Sequence, residues 1–144
     1  MSGPTPNPSG CCGMVVSCCL QTAPDIVTAT VVALCGTFQG TLIGQGSGAN
    51  SGCWVGSVAM QLKNQGFPPT CVNKTLNFTL CCAVMGNMIL TVDCGGTGSG
   101  SAPFPGPVAC NPMDLTYLNV PLPNDCNSME SSLQSVEVKG QLAG

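Results

Sequence analysis

Twelve cysteines are the residues of this 144-residue chain with the clearest chemical potential. Six of them stand in adjacent pairs, Cys11-Cys12, Cys18-Cys19 and Cys81-Cys82. The sequence has no histidine, and it carries only six acidic and three basic side chains. General acid-base catalysis needs a group that titrates near the working pH, most often a histidine. We therefore expect the cysteines to form cross-links, and we expect the chain not to be an enzyme.

The spacing of the cysteines argues against metal binding and redox catalysis. Without histidine a zinc ion would need four thiolates, which structural sites usually supply from CxxC knuckles. The sequence contains neither CxxC nor CxC, so it also lacks a thioredoxin-type motif and a metallothionein-like cluster. We expect no metal, cofactor or catalytic residue, and structural disulfides instead. Their pairing, within or between chains, stays open, and the candidates are Cys11, Cys12, Cys18, Cys19, Cys35, Cys53, Cys71, Cys81, Cys82, Cys94, Cys110 and Cys126.

The composition limits the possible partners. Charged residues make up 6% of the chain, against about a quarter in ordinary soluble domains, so uncharged polar groups must form most of the surface. The three lysines, Lys63, Lys74 and Lys139, form no basic stripe that could neutralise phosphates. Apolar stretches are interrupted well before ~18 residues. We expect no nucleic acid partner and no membrane span, but a surface prone to associate with other protein subunits.

The cysteine content also bears on the compartment. Such a density is typical of oxidising surroundings, yet the first nine residues show neither the basic nor the apolar region of a secretory signal. A signal replaced by a new Met, a different export route, or assembly in a cytosol followed by oxidation after release would each explain this. The last needs no missing residue and fits a virion protein freed by lysis. We expect a virion or extracellular location.

The pattern along the chain predicts an all-β fold. Residues 1–24 read as a Pro-, Gly- and Cys-rich arm without a regular period, and residues 25–144 as short β-branched runs separated by turn residues. We predict an antiparallel β-sandwich of about seven strands behind a disulfide-rich N-terminal arm. A long loop is predicted over Gly95–Pro107. The predicted strands are Ile26–Cys35, Thr37–Gln45, Cys53–Leu62, Thr75–Cys82, Val84–Cys94, Asp114–Val120 and Ser132–Leu142.

Two adjacent cysteines in a strand should form disulfides with two different partners, because neighbouring side chains point to opposite faces of the sheet. Cys82 is in step with Phe78 and Leu80, which predicts a core-side bridge between two sheets. Cys81 is then expected to bond a covering loop. The doublets of the arm, Cys11-Cys12 and Cys18-Cys19, could bond to the same chain or to another subunit.

A few other residues could suggest a site. Asp93, Asp114, Asp125 and Glu130 lack the spacing of a calcium loop, which favours solvated turn acids. Trp54, the only tryptophan, is expected to anchor the core rather than to form a sugar platform.

Short motifs spread over residues 26–140 carry a likeness to known proteins. They are Ala33-Leu-Cys35-Gly with Gly40-Thr-Leu, Cys53-Trp-Val-Gly56, Leu76-Asn-Phe-Thr-Leu80, Ile89-Leu-Thr-Val-Asp-Cys94-Gly-Gly, Cys110-Asn-Pro-Met-Asp-Leu115 running on to Tyr117, and Val136-Glu-Val. In these the chain resembles small, uncharacterised, cysteine-rich β proteins of planctomycete-like bacteria and of some tailed phages. The resemblance implies no catalytic residues.

Together these features predict a structural subunit of an extracellular assembly, such as a virion decoration, fibre or tail protein. Its partners would be copies of itself or other structural subunits, reached through the arm and the Gly95–Pro107 loop. The alternative is a secreted or surface-displayed binding module, which would use Trp54, Tyr117 and the long loops to hold a glycan or a host surface molecule.

Overall fold

A computed structural model describes residues 18, 23–45, 52–83, 86–105 and 108–141. Short β-branched runs form its strands, and a 3-10 turn, Asn124–Cys126, lies between the last two. The strands are β1 (Ile26–Ala33), β2 (Gly36–Gln45), β3 (Cys53–Lys63), β4 (Cys71–Cys82), β5 (Met88–Asp93), β6 (Gly100–Phe104), β7 (Met113–Pro121) and β8 (Ser132–Gly140).

All eight strands belong to one antiparallel sheet, in the order β6-β5-β4-β3-β2-β1-β8-β7. The sheet curls until its edge strands β6 and β7 lie beside each other, so it nearly closes into a barrel. The rings of Phe104 and Tyr117 meet edge to face across these two edges, with centroids 5.7 Å apart. The predicted antiparallel all-β class is confirmed. The strands nonetheless form one continuous sheet of eight, and not the two sheets of a seven-stranded sandwich.

The additional strand is β6, which lies inside the segment predicted as a loop. Gly, Ser and Pro residues dominate this segment and suggest a turn. The structure corrects that prediction, because Gly100–Phe104 pairs with β5 over five residues. Pro103 is tolerated there because β6 is an edge strand, and an edge strand need not donate on its outer side.

Alternating side chains fill the inside of the curled sheet. In β4, Leu76, Phe78 and Leu80 are completely buried, while the residues between them face outward. Trp54 of β3 is also fully buried, and its indole N–H donates to the carbonyl oxygen of Pro24 at 2.9 Å. The prediction that Trp54 anchors the core is confirmed.

Glycines at inward-facing positions let neighbouring strands approach closely where the sheet bends. A Cβ atom on Gly56 of β3 would overlap the backbone carbonyl oxygen of Thr41 in β2. A Cβ atom on Gly40 of β2 would lie 2.6 Å from the carbonyl oxygen of Ser57 in β3. Glycine at such positions lets a sheet curl enough to close, since no side chain props the strands apart. The bend between β2 and β3 therefore depends on this pair.

Gly56→Ala is expected to destabilise the oxidised protein by about 1–3 kcal/mol, because backbone must move to admit the new methyl group. The measurement is denaturant unfolding followed by fluorescence of the single Trp54. Ser57→Ala is the matched control, since Ser57 is exposed on the opposite face, and it should change the free energy of unfolding by less than about 0.5 kcal/mol. Equal stability of the two variants would contradict the close approach.

Candidate functional site

Nine cysteines lie in the part of the chain that the structure describes, and all nine are disulfide-bonded. Four bridges join Cys18 to Cys82, Cys35 to Cys71, Cys53 to Cys81, and Cys94 to Cys126. Cys110 is disulfide-bonded as well. The remaining candidates, Cys11, Cys12 and Cys19, lie outside the described residues.

The four bridges lie at the two ends of the curled sheet. Cys35–Cys71 and Cys94–Cys126 lie where β1, β3, β5 and β7 end, while Cys18–Cys82 and Cys53–Cys81 lie at the opposite end, where β1 begins. Each closes a loop of 28 to 64 residues. Disulfides that close such loops commonly contribute about 2–4 kcal/mol each to stability. Both ends are therefore fastened covalently.

The doublet Cys81-Cys82 reaches two different partners, as predicted, although the partners differ from those expected. Cys82 faces the core but bonds Cys18, in the segment before β1, because all the strands that the structure describes belong to one sheet. Cys81 faces outward and bonds Cys53 on the neighbouring strand, not a covering loop. These two residues are directly paired in the ladder with Cα atoms 4.3 Å apart, near the ~4.5 Å of a close antiparallel pair.

The end of the predicted arm packs against the β body. Cys18 is fully buried, and its carbonyl oxygen accepts a 2.7 Å hydrogen bond from the backbone N–H of Val108. Ala23 is also fully buried. Both residues belong to the range 1–24, whose division from residues 25–144 otherwise stays a prediction.

The structure separates the four acidic candidates. Asp114 and Asp125 are exposed and Asp93 is half-buried, and Asp93 accepts hydrogen bonds from the Asn77 side chain and the Gly95 N–H at 2.9 and 2.8 Å. Glu130 is only 6% exposed, so its assignment as a solvated turn acid is wrong. The described residues contain no cluster of three or more side chains that could hold a metal ion.

The Glu130 carboxylate joins two strand ends that the ladder leaves apart. The β2–β3 ladder stops at Thr41 and Ser57. Beyond that point one carboxylate oxygen accepts from the N–H of Leu34, at the β1–β2 turn, and the other accepts from the N–H of Lys63, at the end of β3, each at 3.0 Å. Backbone N–H groups bound to a carboxylate form charge-assisted hydrogen bonds. Glu130 thus replaces missing sheet pairing at this end.

The segment around Glu130 is tied to β3 by further hydrogen bonds. The Lys63 carbonyl oxygen accepts from the Ser128 hydroxyl at 2.8 Å and from the Met129 N–H at 2.9 Å. The Glu130 N–H donates to the Ser128 hydroxyl oxygen at 3.0 Å. These bonds fix the loop between β7 and β8 against the end of β3.

The loop between β3 and β4 is fixed by Asn64. Its side-chain oxygen accepts from the backbone N–H groups of Gly66 and Thr70, each at 3.0 Å. The backbone N–H of Asn64 donates to the Thr70 carbonyl oxygen at 2.8 Å. The Gln65 amide donates to the Ser128 carbonyl oxygen at 3.2 Å. This loop is therefore ordered by its own hydrogen bonds and joined to the neighbouring loop.

Three large apolar side chains are exposed on these fixed loops, and we call this surface the apolar end. It consists of Leu34 in the β1–β2 turn, Phe67 in the β3–β4 loop and Met129 in the β7–β8 loop. Leu34 and Met129 are about half exposed, and Phe67 is fully exposed. The Phe67 side chain is surrounded by solvent, whereas the backbone of its loop is fixed by the hydrogen bonds to Asn64. Nothing in the sequence distinguished Phe67 beyond its turn-forming neighbours.

The two aromatic residues that a glycan-binding module would use, Trp54 and Tyr117, face the interior. Trp54 is fully buried and Tyr117 is 2% exposed, with its hydroxyl donating to the Met88 carbonyl oxygen at 3.0 Å. Burial raises the pKa of Tyr117 far above its ordinary value. These side chains cannot form a surface platform for a glycan.

Comparison with known proteins gives no relative. No family model matches the chain, and neither the curated proteins nor the solved structures contain a significant match. The resemblance to cysteine-rich β proteins stays a prediction. Among the described residues, none of the helical structure is long and apolar enough to cross a bilayer.

Glu130→Gln is expected to lower the free energy of unfolding by about 1–3 kcal/mol. The glutamine side chain has one acceptor oxygen instead of two, so its NH₂ group would face one of the two backbone N–H groups and leave that donor without an acceptor. Amide hydrogen exchange at Leu34 or Lys63 should accelerate at the same time. The matched control is Glu137→Gln, on half-buried Glu137 of β8, which should leave both measurements unchanged. Unaltered exchange in Glu130→Gln would contradict the bridging role.

Tyr117 is the only tyrosine, so its ionisation can be followed by tyrosinate absorbance. In denaturant it should titrate near its ordinary pKa of about 10, whereas in the native protein tyrosinate should appear only as the fold is lost. Since the folded state holds this proton more tightly, the free energy of unfolding should fall as the pH rises above about 10. Tyr117→Phe should weaken that dependence. A native titration near pH 10 would contradict the burial.

Proposed function

We propose that the protein is a structural subunit of an extracellular assembly, of the kind formed by the decoration, fibre or tail proteins of a virion. The observation that carries the proposal is the apolar end, because Leu34, Phe67 and Met129 are exposed on loops held in place by Glu130, Asn64 and a disulfide. Because these loops are already fixed, binding of another protein to this surface would cost little conformational entropy. Such a surface suits a permanent protein neighbour.

The cross-links support the extracellular part of the proposal. Disulfides persist in oxidising surroundings and are rare in a reducing cytosol, so four of them indicate a secreted or extracellular protein. Disulfides at both ends of the sheet raise the free energy of unfolding. This suits a component that is not replaced after its release from the cell.

The low charge supports the assembly part. Nine charged side chains in 144 residues leave most of the surface uncharged, and weakly charged surfaces favour association. The aromatic pair that would have served glycan binding is buried, which leaves Phe67 as the exposed aromatic side chain of the described residues.

The test is hydroxyl-radical footprinting of the protein in material from its native source, before and after dissociation of any assembly. The Phe67 side chain should be protected in the assembled fraction and reactive in the released chain. Leu118, which is 67% exposed on β7 and lies outside the apolar end, is the control site. A free monomer in all native fractions, or equal Phe67 reactivity in both, would overturn the proposal. Glycan binding abolished by Phe67→Ser would favour the binding module instead.

A further inference from the structure

The disulfide between Cys35 and Cys71 is the most accessible cross-link among the described residues. Cys71 is exposed and Cys35 is half-buried. Every other bridge that the described residues form includes at least one buried cysteine. The buried members are Cys18 and Cys82 in one bridge, Cys53 and Cys126 in two others, and Cys110 in a further one.

Reduction of a disulfide needs access at one sulfur and a stable leaving thiolate at the other. A thiolate attacks one sulfur, forms a mixed disulfide with it and displaces the second cysteine as a thiolate. A second thiol then releases the first cysteine, so the products are two cysteine thiols and the oxidised reductant. Burial in apolar surroundings disfavours a thiolate. With Cys71 attacked and Cys35 displaced, neither step involves a buried cysteine.

Strand pairing does not hold the two cysteines of this bridge together. Cys53 and Cys81 face each other in the β3–β4 ladder with Cα atoms 4.3 Å apart, so a broken bridge between them is placed to close again. Cys35 lies in the β1–β2 turn, and Cys71 is paired with Lys63 of β3 instead. Once reduced, Cys35 and Cys71 can therefore move apart, whereas Cys53 and Cys81 stay adjacent.

The bridge fixes one of the three loops of the apolar end. Leu34 precedes Cys35 in the β1–β2 turn, and the β2–β3 ladder stops at Thr41 and Ser57, short of this turn. Among the hydrogen bonds of the described residues, only the one from the Leu34 N–H to Glu130 joins the turn to another loop. Without the bridge, the position of the turn would depend on that hydrogen bond.

Opening of this bridge leaves the strand ladders in place. β1 and β2 pair up to Ala33 and Gly36, and β3 and β4 pair up to Lys63 and Cys71, so neither ladder runs through the bridge. Cys94–Cys126 still fastens the same end of the sheet. Regions with few buried contacts open at a lower free energy than the core. Local opening without global unfolding is therefore the expected result.

We infer that Cys35–Cys71 is a redox-sensitive latch on the apolar end. A small-molecule thiol opens this bridge before the others, which releases Leu34 and the β1–β2 turn while the core stays folded. The consequence for assembly rests on the proposed function: a loosened apolar end must be ordered on contact, so the reduced chain associates less tightly than the oxidised one. Because thiol–disulfide exchange is reversible, reoxidation fixes the surface again.

The first test is stepwise reduction of the native, oxidised chain with a monothiol such as reduced glutathione. Free thiols are blocked with one alkylating reagent, and after unfolding and full reduction the remaining cysteines are labelled with a second for peptide mass spectrometry. Cys35 and Cys71 should become free together, at a thiol concentration at least about tenfold below that needed for the other described bridges. Trp54 fluorescence should not change at that point. Earlier release of another described bridge, or release of all of them together with unfolding, would overturn the inference.

The second test is amide hydrogen exchange at Leu34. The double variant Cys35→Ser with Cys71→Ser represents the opened latch. Cys53→Ser with Cys81→Ser is the matched control, because it removes a bridge at the opposite end of the sheet. Exchange at Leu34 should accelerate at least about tenfold in the first variant and in partially reduced wild type, and it should not change in the control. Unchanged exchange in wild type whose Cys35–Cys71 bridge is cleaved would contradict the latch, whether or not the variant folds.

Sedimentation velocity of assembled material from the native source separates the latch from the proposed function. Thiol that opens Cys35–Cys71 alone should weaken association at least about tenfold. Assemblies that protect Phe67 but persist unchanged after this opening would overturn the latch and leave the proposed function standing. A chain whose latch opens as described but which is monomeric in every native fraction would overturn the proposed function and leave the latch standing.

Discussion

The close approach of β2 to β3 is the constraint on which the rest of the structure depends. A curled sheet must bend, and here it bends where Gly40 and Gly56 leave no side chain between the strands. The same bend ends the β2–β3 ladder at Thr41 and Ser57. Closure of the sheet therefore has a local cost, since backbone groups beyond this point lose their strand partner. Buried groups of this kind require another partner.

Glu130 and the disulfides compensate for that cost at the end where the strands diverge. The carboxylate accepts from the Leu34 and Lys63 N–H groups, while Cys35–Cys71 joins the β1–β2 turn to β4. A covalent bridge alone would leave the loops free to rotate, and a carboxylate alone would leave them free to separate. Together they hold three loops in one arrangement. An interaction surface made of loops becomes specific only when the loops are fixed in this way.

The sequence predicted seven of the eight strands because their apolar residues alternate with polar ones, as Leu76, Phe78 and Leu80 do in β4. It did not predict β6, where Gly, Ser and Pro give no alternating pattern and pairing with β5 decides the structure. Alternation also fails in β7, where Tyr117 and Val120 both face inward because Asn119 between them adopts a φ of 53°. Whether the strands form one sheet or a sandwich depends on which distant strands pair with each other. The residue pattern within each strand does not reveal that pairing.

The site was less accessible to sequence reasoning than the fold. Glu130 looked like any other acid in a turn, because the two N–H groups it accepts from lie 96 and 67 residues away in the chain. Phe67, between Gly66 and two prolines, looked like a loop residue, and only the structure shows that its side chain is fully exposed on a loop with a fixed backbone. Under the proposed function, an exposed apolar side chain on a loop with a fixed backbone is the feature that most strongly limits which partners can bind. Selectivity would then come from shape, because a chain with so few charges has no dense charge pattern to reject wrong partners.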